Sequence, residues 1–287
     1  MNEVWRAGAL AGKSVVVTGG GTGLGAACAE RLAADGATVV ICGRTESRLI
    51  DTVSRVATQL SEGGPAVRHF VADVTSEDDV ARLIDFSVGE TGRLDGVVAN
   101  AGGGGGTLPY HMQDLDEFTR VLHLNVLGTM LLVKHAVPHL VAAGGGAFVG
   151  MSSLSGGTTK RYAGAYTVAK AGVEQMMRNA ADEYGEVQVR FNAVRPGFTA
   201  TEIMEGIPRD SPVYASYVDN TPMAGVGEPS DVADLVRFLI GPESRWITGQ
   251  IINVDGGHCL RRGPDYTAWV EPVYGHDVLV ARAPKPV

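Results

Sequence analysis

Cysteine is scarce. The three present (Cys28, Cys42 and Cys259) are scattered, odd in number and without metal-ligand spacing, which argues against a disulfide framework or structural zinc. Long apolar runs are missing too: none approaches the roughly 18 to 20 uninterrupted residues a spanning helix needs. The opening Met1-Asn2-Glu3-Val4-Trp5-Arg6 lacks a basic segment leading into an apolar stretch, so no secretory signal is expected and the cytoplasm is the expected compartment. Basic residues are outnumbered, 24 against 32 acidic ones, and the formal net charge of −8 argues against a nucleic-acid-binding surface.

What the chain has in excess is glycine, 39 of 287 residues, about twice the usual share of roughly 7%. The glycines cluster at the ends of short β-branched runs: Gly19 to Gly25, Gly102 to Gly106, Gly144 to Gly146, Gly156-Gly157 and Gly256-Gly257. The runs themselves are 14–17, 38–41, 96–99, 147–149, 187–191 and 251–254. Nearly continuous apolar strands imply burial on both faces, as in a parallel sheet. Helical patterns lie between them, at 24–35, 46–60, 76–90, 115–140 and 166–184. Strand–helix alternation throughout predicts a doubly wound α/β fold. Residues 1–262 read as a single dinucleotide-binding and catalytic domain. Two segments break the alternation. One, at about 200–227, holds Pro208, Pro212 and Pro222 among Ile203, Met204, Ile207, Tyr214, Tyr217 and Met223, and reads as a substrate lid. The other, 263–287, is a tail rich in proline and aromatics (Tyr266, Trp269, Tyr274) that should dock on its own body or on a neighbouring subunit.

Thr18-Gly19-Gly20-Gly21-Thr22-Gly23-Leu24-Gly25 separates the first strand from the first helix. A diphosphate there needs close backbone approach, free N–H groups and the positive end of a helix dipole, all of which residues without Cβ allow. Where a carboxylate would hold the ribose hydroxyl of NAD, the second strand ends in Cys42-Gly43-Arg44. Gly43 removes the charge that would repel a 2′-phosphate and Arg44 offers a planar fork to bind one, so NADP is favoured over NAD; a solvated surface arginine is the plainer alternative. Asp73 could accept from the adenine amine or cap the helix starting near Ser76. Asn100-Ala101-Gly102 ends the fourth strand, where open α/β sheets bind ligands, or simply makes a turn.

Tyr166 and Lys170 stand at i and i+4 on one helical face. A nearby cation favours phenolate over phenol, which would bring a tyrosine towards useful acid–base range. Chance Tyr-x-x-x-Lys matches number about 0.14 in this composition, and adding Ser153 thirteen residues upstream lowers the joint expectation to about 0.006.

With the glycine turn, Asp73-Val74, Asn100-Ala101-Gly102, Asn125, Ser153, Tyr166/Lys170 and Pro196-Gly197 in hand, the chain from about Leu10 to Gly257 resembles the short-chain dehydrogenase/reductases of the main single-domain kind. The resemblance implies a mainly parallel seven-stranded Rossmann-like sheet with helices on both faces. It implies Tyr166 as general acid in reduction and general base in oxidation. Lys170 would lower its pKa and bind the nicotinamide ribose, Ser153 would orient the substrate oxygen, and Asn125 would hold a proton relay through its backbone carbonyl. Without the resemblance, Asn125 reads as a satisfied polar residue kinking its helix. The cofactor would contact Gly19, Gly21, Thr22, Gly23, Leu24, Gly25, Arg44, Asp73, Val74, Asn100, Ala101, Gly102, Tyr166, Lys170, Pro196, Gly197 and Thr199, with no metal. Thr22 stands where some NADP-preferring relatives carry a basic residue, which leaves 2′-phosphate recognition mainly to Arg44. Tyr162 is a rival phenol with no lysine four residues on, and reads as a pocket or surface aromatic.

The expected function is hydride transfer between NADP(H) and a carbonyl or secondary alcohol. The lid's apolar residues favour a lipophilic substrate such as a 3-oxoacyl-thioester, or else simply pack onto the core. Alternatives are an NAD-dependent alcohol dehydrogenase of the same fold and a non-catalytic NADP sensor. The stripe Val173, Met176, Met177 and Ala180 on the helix carrying Tyr166 is explained in part by core burial, but relatives pair the equivalent helices into dimers and tetramers, so a homo-oligomer, a tetramer or dimer, is expected. No nucleic acid or membrane partner is expected.

Overall fold

The computed structural model describes residues 8–60 and 66–283. The Met1–Arg6 stretch read for a signal, and Pro284 and Pro286 of the tail, lie outside the described residues. Seven strands form one sheet: β1 (Ser14–Thr18), β2 (Thr38–Gly43), β3 (Val67–Val71), β4 (Gly96–Ala99), β5 (Gly146–Met151), β6 (Val189–Pro196) and β7 (Ile251–Val254). Their order is β3-β2-β1-β4-β5-β6-β7, and every neighbouring pair is parallel. The helices are α1 (Gly23–Ala34), α2 (Glu46–Gln59), α3 (Glu77–Thr91), α4 (Leu115–Leu122), α5 (Gly128–Ala142), α6 (Gly164–Tyr184), α7 (Glu202–Glu205), α8 (Pro212–Asp219), α9 (Pro229–Ile240), α10 (Thr267–Tyr274) and α11 (His276–Leu279).

Strand β1 shows why the apolar runs are continuous. All five of its residues are buried. Val15 and Val17 pack with α1, α2 and α9 on one face, while Val16 packs with α3, α5 and α6 on the other. Side chains alternate across a strand, so a central parallel strand needs apolar residues at both parities. Chain order reverses after β3: β4 returns to the free side of β1, which opens a crevice above the C-terminal ends of β1 and β4.

Helices α4 and α5 are continuous through a π-helical turn at His123–Leu127. The joined helix, Leu115–Ala142, is long and apolar enough to cross a membrane by length and composition, but Leu131, Leu132, Ala136 and Leu140 are buried against the sheet as core.

The lid and tail together make a third apolar cluster. Met112, Phe198, Val213 and Tyr217 pack against Tyr266, Val270 and Leu279, with Met204, Ile207 and Tyr214 at its margin. The lid is therefore not structureless, since it holds α7 and α8, and the tail docks on its own chain. Phe198 and Tyr217 stack with ring centres 3.9 Å apart, and Tyr217 and Tyr266 share a hydrogen bond between hydroxyls at 2.9 Å. Nothing is described of the Ile203 side chain.

Candidate active site

The glycine turn leaves β1 and enters α1 above the crevice. Gly19 and Gly23 have φ of +65° and +50°, a region that side chains with Cβ disfavour. A Cβ on Gly25 would lie 2.1 Å from the Gly19 carbonyl oxygen, so this turn closes only without one. Thr22 occupies the cap position of α1 without making a side-chain cap. The first-turn N–H groups therefore keep their capacity for an anion, and the cradle fits a dinucleotide diphosphate. Leu24 anchors this end of the helix by packing on the core.

Asn100 braces the turn from β4. Its Nδ2 donates to the carbonyls of Thr18 (2.9 Å) and Gly19 (3.3 Å), and the N–H groups of Asn100 and Ala101 donate to Thr18 Oγ1. Arg44, exposed beyond the end of β2, makes no ion pair among the described residues. With Asp73, Thr75, Asp116, Arg120 and His123 it lines a cleft of about 380 Å³. The α3 cap is Ser76, whose Oγ accepts from Asp79 N, whereas Asp73 Oδ1 accepts from the N–H and hydroxyl of Thr75. The capping alternative for Asp73 thus falls away. Buried Val74 packs on Gly128, where α5 begins.

The catalytic candidates converge from β5, α6 and the π turn. Tyr166 and Ser153 lie close enough for the serine hydroxyl to act on the phenol, and Ser153 Oγ accepts from Ser155 N at 3.2 Å. Lys170, one helical turn on from Tyr166, is buried and donates to the Met151 carbonyl at 2.8 Å, with its ammonium 5.5 Å from the Tyr166 ring centre. Burial pulls the lysine down to about 8. Burial also pushes the Tyr166 phenol above its ordinary value; the Ser153 hydroxyl opposes this and nearby Tyr266 adds to it. In this geometry removal from water outweighs the downward pull expected from Lys170, whose ammonium lies over the ring and stays mostly charged at neutral pH.

Asn125 sits in the π turn, 1% exposed. Its Nδ2 donates to the Val121 and Gly103 carbonyls, both at 2.9 Å, and its Oδ1 accepts from Gly103 N at 3.3 Å. A Cβ on Gly102 would come within 2.5 Å of Asn125 Oδ1 and 3.1 Å of Lys170 Nζ, so the glycine run lets the chain pass close to both. Asn125 is satisfied and distorts its helix, as read on its own, and it also adjoins the lysine. Its backbone carbonyl accepts from the Thr129 hydroxyl at 2.7 Å.

Pro196 ends β6, and Gly197 donates to Val254 O while passing so close to Asp255 that a Cβ would lie 2.6 Å from its Cα. Thr199 is buried beyond them. Lid residues Thr201, Glu202 and Met204 face Gly21, Thr22 and Gly23 across a cavity of about 890 Å³.

Three features escaped the sequence reading. Glu174, one turn beyond Lys170, is buried, pairs bidentately with Arg195 (2.6 and 2.5 Å) and accepts from Ser152 Oγ at 2.7 Å, which pins the serine loop. Its position at i+4 from Lys170 was the available signal. Tyr266 comes from the tail close enough to raise the Tyr166 phenol, and no spacing rule could reveal that. Lys160 lies over the rings of Tyr266 (4.9 Å) and Tyr166 (5.7 Å). Tyr162, the rival phenol, packs in the lid–tail cluster with a φ of +68°.

The family model described as enoyl-(acyl carrier protein) reductase matches residues 19–258, the span that carries the glycine turn, Asn125, Ser153, Tyr166 and Lys170. The chain belongs to the short-chain dehydrogenase/reductase family. This short-chain dehydrogenase/reductase is 38% identical over 250 residues to cis-4-hydroxycyclohexanecarboxylate dehydrogenase of Sinomonas cyclohexanicum, covering 87% of this chain and 98% of that one. It is 31% identical to 7alpha-hydroxysteroid dehydrogenase of Escherichia coli strain K12, covering 86% and 94%. Among solved structures, a short-chain type dehydrogenase/reductase from Mycobacterium ulcerans superposes with a TM-score of 0.92 at 42% identity, covering 94% of this chain and 98% of that one. A 7-alpha-hydroxysteroid dehydrogenase complexed with NADH and 7-oxo glycochenodeoxycholic acid follows at 0.82 and 29%, covering 88% and 97%. The short-chain dehydrogenase/reductase is thus an enzyme of nicotinamide-dependent oxidoreduction at a CH–OH group.

Proposed function

We propose that the enzyme uses NADP(H) and works chiefly as a reductase of a compact ketone, the reverse reaction oxidising a secondary alcohol. The convergence of Ser153, Tyr166 and buried Lys170, whose ammonium lies 5.5 Å from the Tyr166 ring centre, carries this reading. A bound nicotinamide supplies or takes the hydride. Ser153 holds the substrate oxygen, and Tyr166 gives it the proton. With burial favouring the protonated phenol, the resting side chain is the acid, which suits reduction. The phenolate left behind is stabilised by Ser153 and by the Lys170 ammonium. Lys170 and the Asn125 backbone return a proton from solvent. Gly19, Gly21, Thr22, Gly23, Leu24 and Gly25 would cradle the diphosphate; Asp73, Val74, Asn100, Ala101 and Gly102 would flank the adenosine side, and Pro196, Gly197 and Thr199 the nicotinamide.

Arg44 is the basis for NADP over NAD: it is exposed at the end of β2, has no carboxylate partner among the described residues and follows a glycine. Met204, Ile207 and Tyr214 pack at the margin of the lid–tail cluster and also line the larger cavity, so they keep an apolar wall for the substrate, while Tyr217 belongs to the packed cluster. A compact secondary alcohol with an apolar ring suits that wall, and the relative named for a hydroxycyclohexane carboxylate falls within that class. A homotetramer or dimer and a cytoplasmic location complete the reading.

The test is dinucleotide affinity, with turnover of a panel of small cyclic alcohols and ketones followed by nicotinamide absorbance. Wild type should bind NADP at least tenfold tighter than NAD, and Arg44→Ala should remove that ratio by weakening NADP alone, since a charge-assisted contact is worth about 1.5–3 kcal/mol. Unchanged NADP affinity in Arg44→Ala overturns the cofactor assignment. Absence of turnover with either cofactor across the panel overturns the activity.

A further inference from the structure

From the geometry around Lys160 we infer that the substrate carries a carboxylate, and that Lys160 is the cation that receives it. The inference rests on the proposed oxidoreductase activity and adds the charge of its substrate.

Lys160 lies in the loop between Ser153 and α6, half-buried, with its ammonium over two phenol rings: Tyr166, which exchanges the proton, and Tyr266, which the tail brings in. No aspartate or glutamate among the described residues lies within ion-pair distance of it. Its neighbour Arg161 is employed differently: it donates to Thr267 Oγ1 at 3.0 Å, and its charge helps hold the Asp265 carboxyl below its usual range. Of the two adjacent cations, one is thus matched by an acid of the tail and the other is not.

Ring faces attract an ammonium, but that attraction is modest, and no hydrogen bond from the Lys160 ammonium to a protein acceptor forms among the described residues, which leaves its N–H groups to solvent or a ligand. An oxyanion would satisfy them. The chain as a whole carries a formal charge of −8 and would repel an anion at long range, so an anionic substrate needs a local cation of this kind. The ammonium is 5.7 Å from the centre of the ring whose hydroxyl would meet the reacting carbonyl, a separation on the scale of one small ring. The Tyr266 ring, 4.9 Å from the same ammonium, holds it on the side of the tail. Lys160 is accordingly a specificity-determining residue, separate from the proton machinery.

The experiment measures binding of cyclohexanecarboxylate and of its neutral analogue cyclohexanecarboxamide by calorimetry, with saturating NADP, to wild type, Lys160→Met and Lys160→Arg. In parallel, kcat/KM is measured for cis-4-hydroxycyclohexanecarboxylate, its methyl ester and cyclohexanol. Wild type and Lys160→Arg should bind the carboxylate at least tenfold tighter than the amide and prefer the acid to its ester. Lys160→Met should bind the two equally, lose the preference through KM, and keep its kcat on cyclohexanol. Equal binding of acid and amide by wild type, or a preference that survives Lys160→Met, overturns the inference. Turnover of cyclohexanol without any preference for the acid would do so while leaving the oxidoreductase reading intact, whereas absence of all nicotinamide-linked turnover would remove that reading itself.

Discussion

At the scale of single side chains, the two titrating groups of the site are displaced in opposite directions by the same cause. Burial favours the uncharged form of each, so the Tyr166 phenol rises and the Lys170 ammonium falls to about 8. Reductive kcat/KM should be level below pH 8 and decline as the pH climbs through it, because the ammonium that stabilises the phenolate is lost. Lys170→Arg should move that limb to higher pH, since a guanidinium stays charged. The same shift bears on stability. Between about 8 and the unfolded value of 10.5 the unfolded chain binds the extra proton, so this group's contribution improves with rising pH and its cost is present in full below 8. Lys170→Met should therefore abolish activity yet raise the folding stability at pH 7, by on the order of 1–3 kcal/mol after the unpaired Met151 carbonyl is counted. Calorimetry across pH 7 to 10 checks this, and the gain should shrink towards the alkaline end. Tyr166→Phe should lower kcat by about 10²- to 10⁴-fold with little change in cofactor affinity. These residues were legible because one helix fixes Tyr166 against Lys170. Their titration was not, because burial depends on what the tail and loops place over them.

Among elements, legibility followed burial. The helical patterns at 24–35, 46–60 and 166–184 correspond to α1, α2 and α6, and central strands stood out as apolar runs. β3 left no such run, because it is an edge strand with Arg68 and Val71 exposed. The lid was opaque for a different reason. Pro212 looked like a breaker, yet it stands at the first turn of α8, where a missing N–H costs nothing. Below it, α7 brings the Glu202 carboxylate to the glycine turn: Oε2 is 3.2 Å from where a Gly23 Cβ would stand. A negative charge there competes with a diphosphate for the positive end of α1. Glu202→Gln should tighten dinucleotide binding about two- to fivefold in a fluorescence titration, and weaker binding would refute the competition.

For the whole molecule, the α/β architecture and the crevice could be read from strand–helix alternation. Val173, Met177 and Ala180 are buried within this chain, the share of the stripe that core packing accounts for, while Met176 is only partly covered. Exposed apolar side chains elsewhere, including Trp246 at 87% and Leu127 and Met130 on the long helix, are what a homo-oligomer would cover. Light scattering should give a multiple of the 30.0 kDa protomer mass, and a value equal to it would refute assembly.

The tail's docking on its own lid has a consequence for how new specificities arise in such a scaffold. A segment joined only after the last strand packs on the lid, where Tyr266 meets Tyr217 and lies near the candidate phenol Tyr166. Exchange of that C-terminal appendage between paralogues could retune what is turned over in one recombination event, with the proton-transfer apparatus inherited intact.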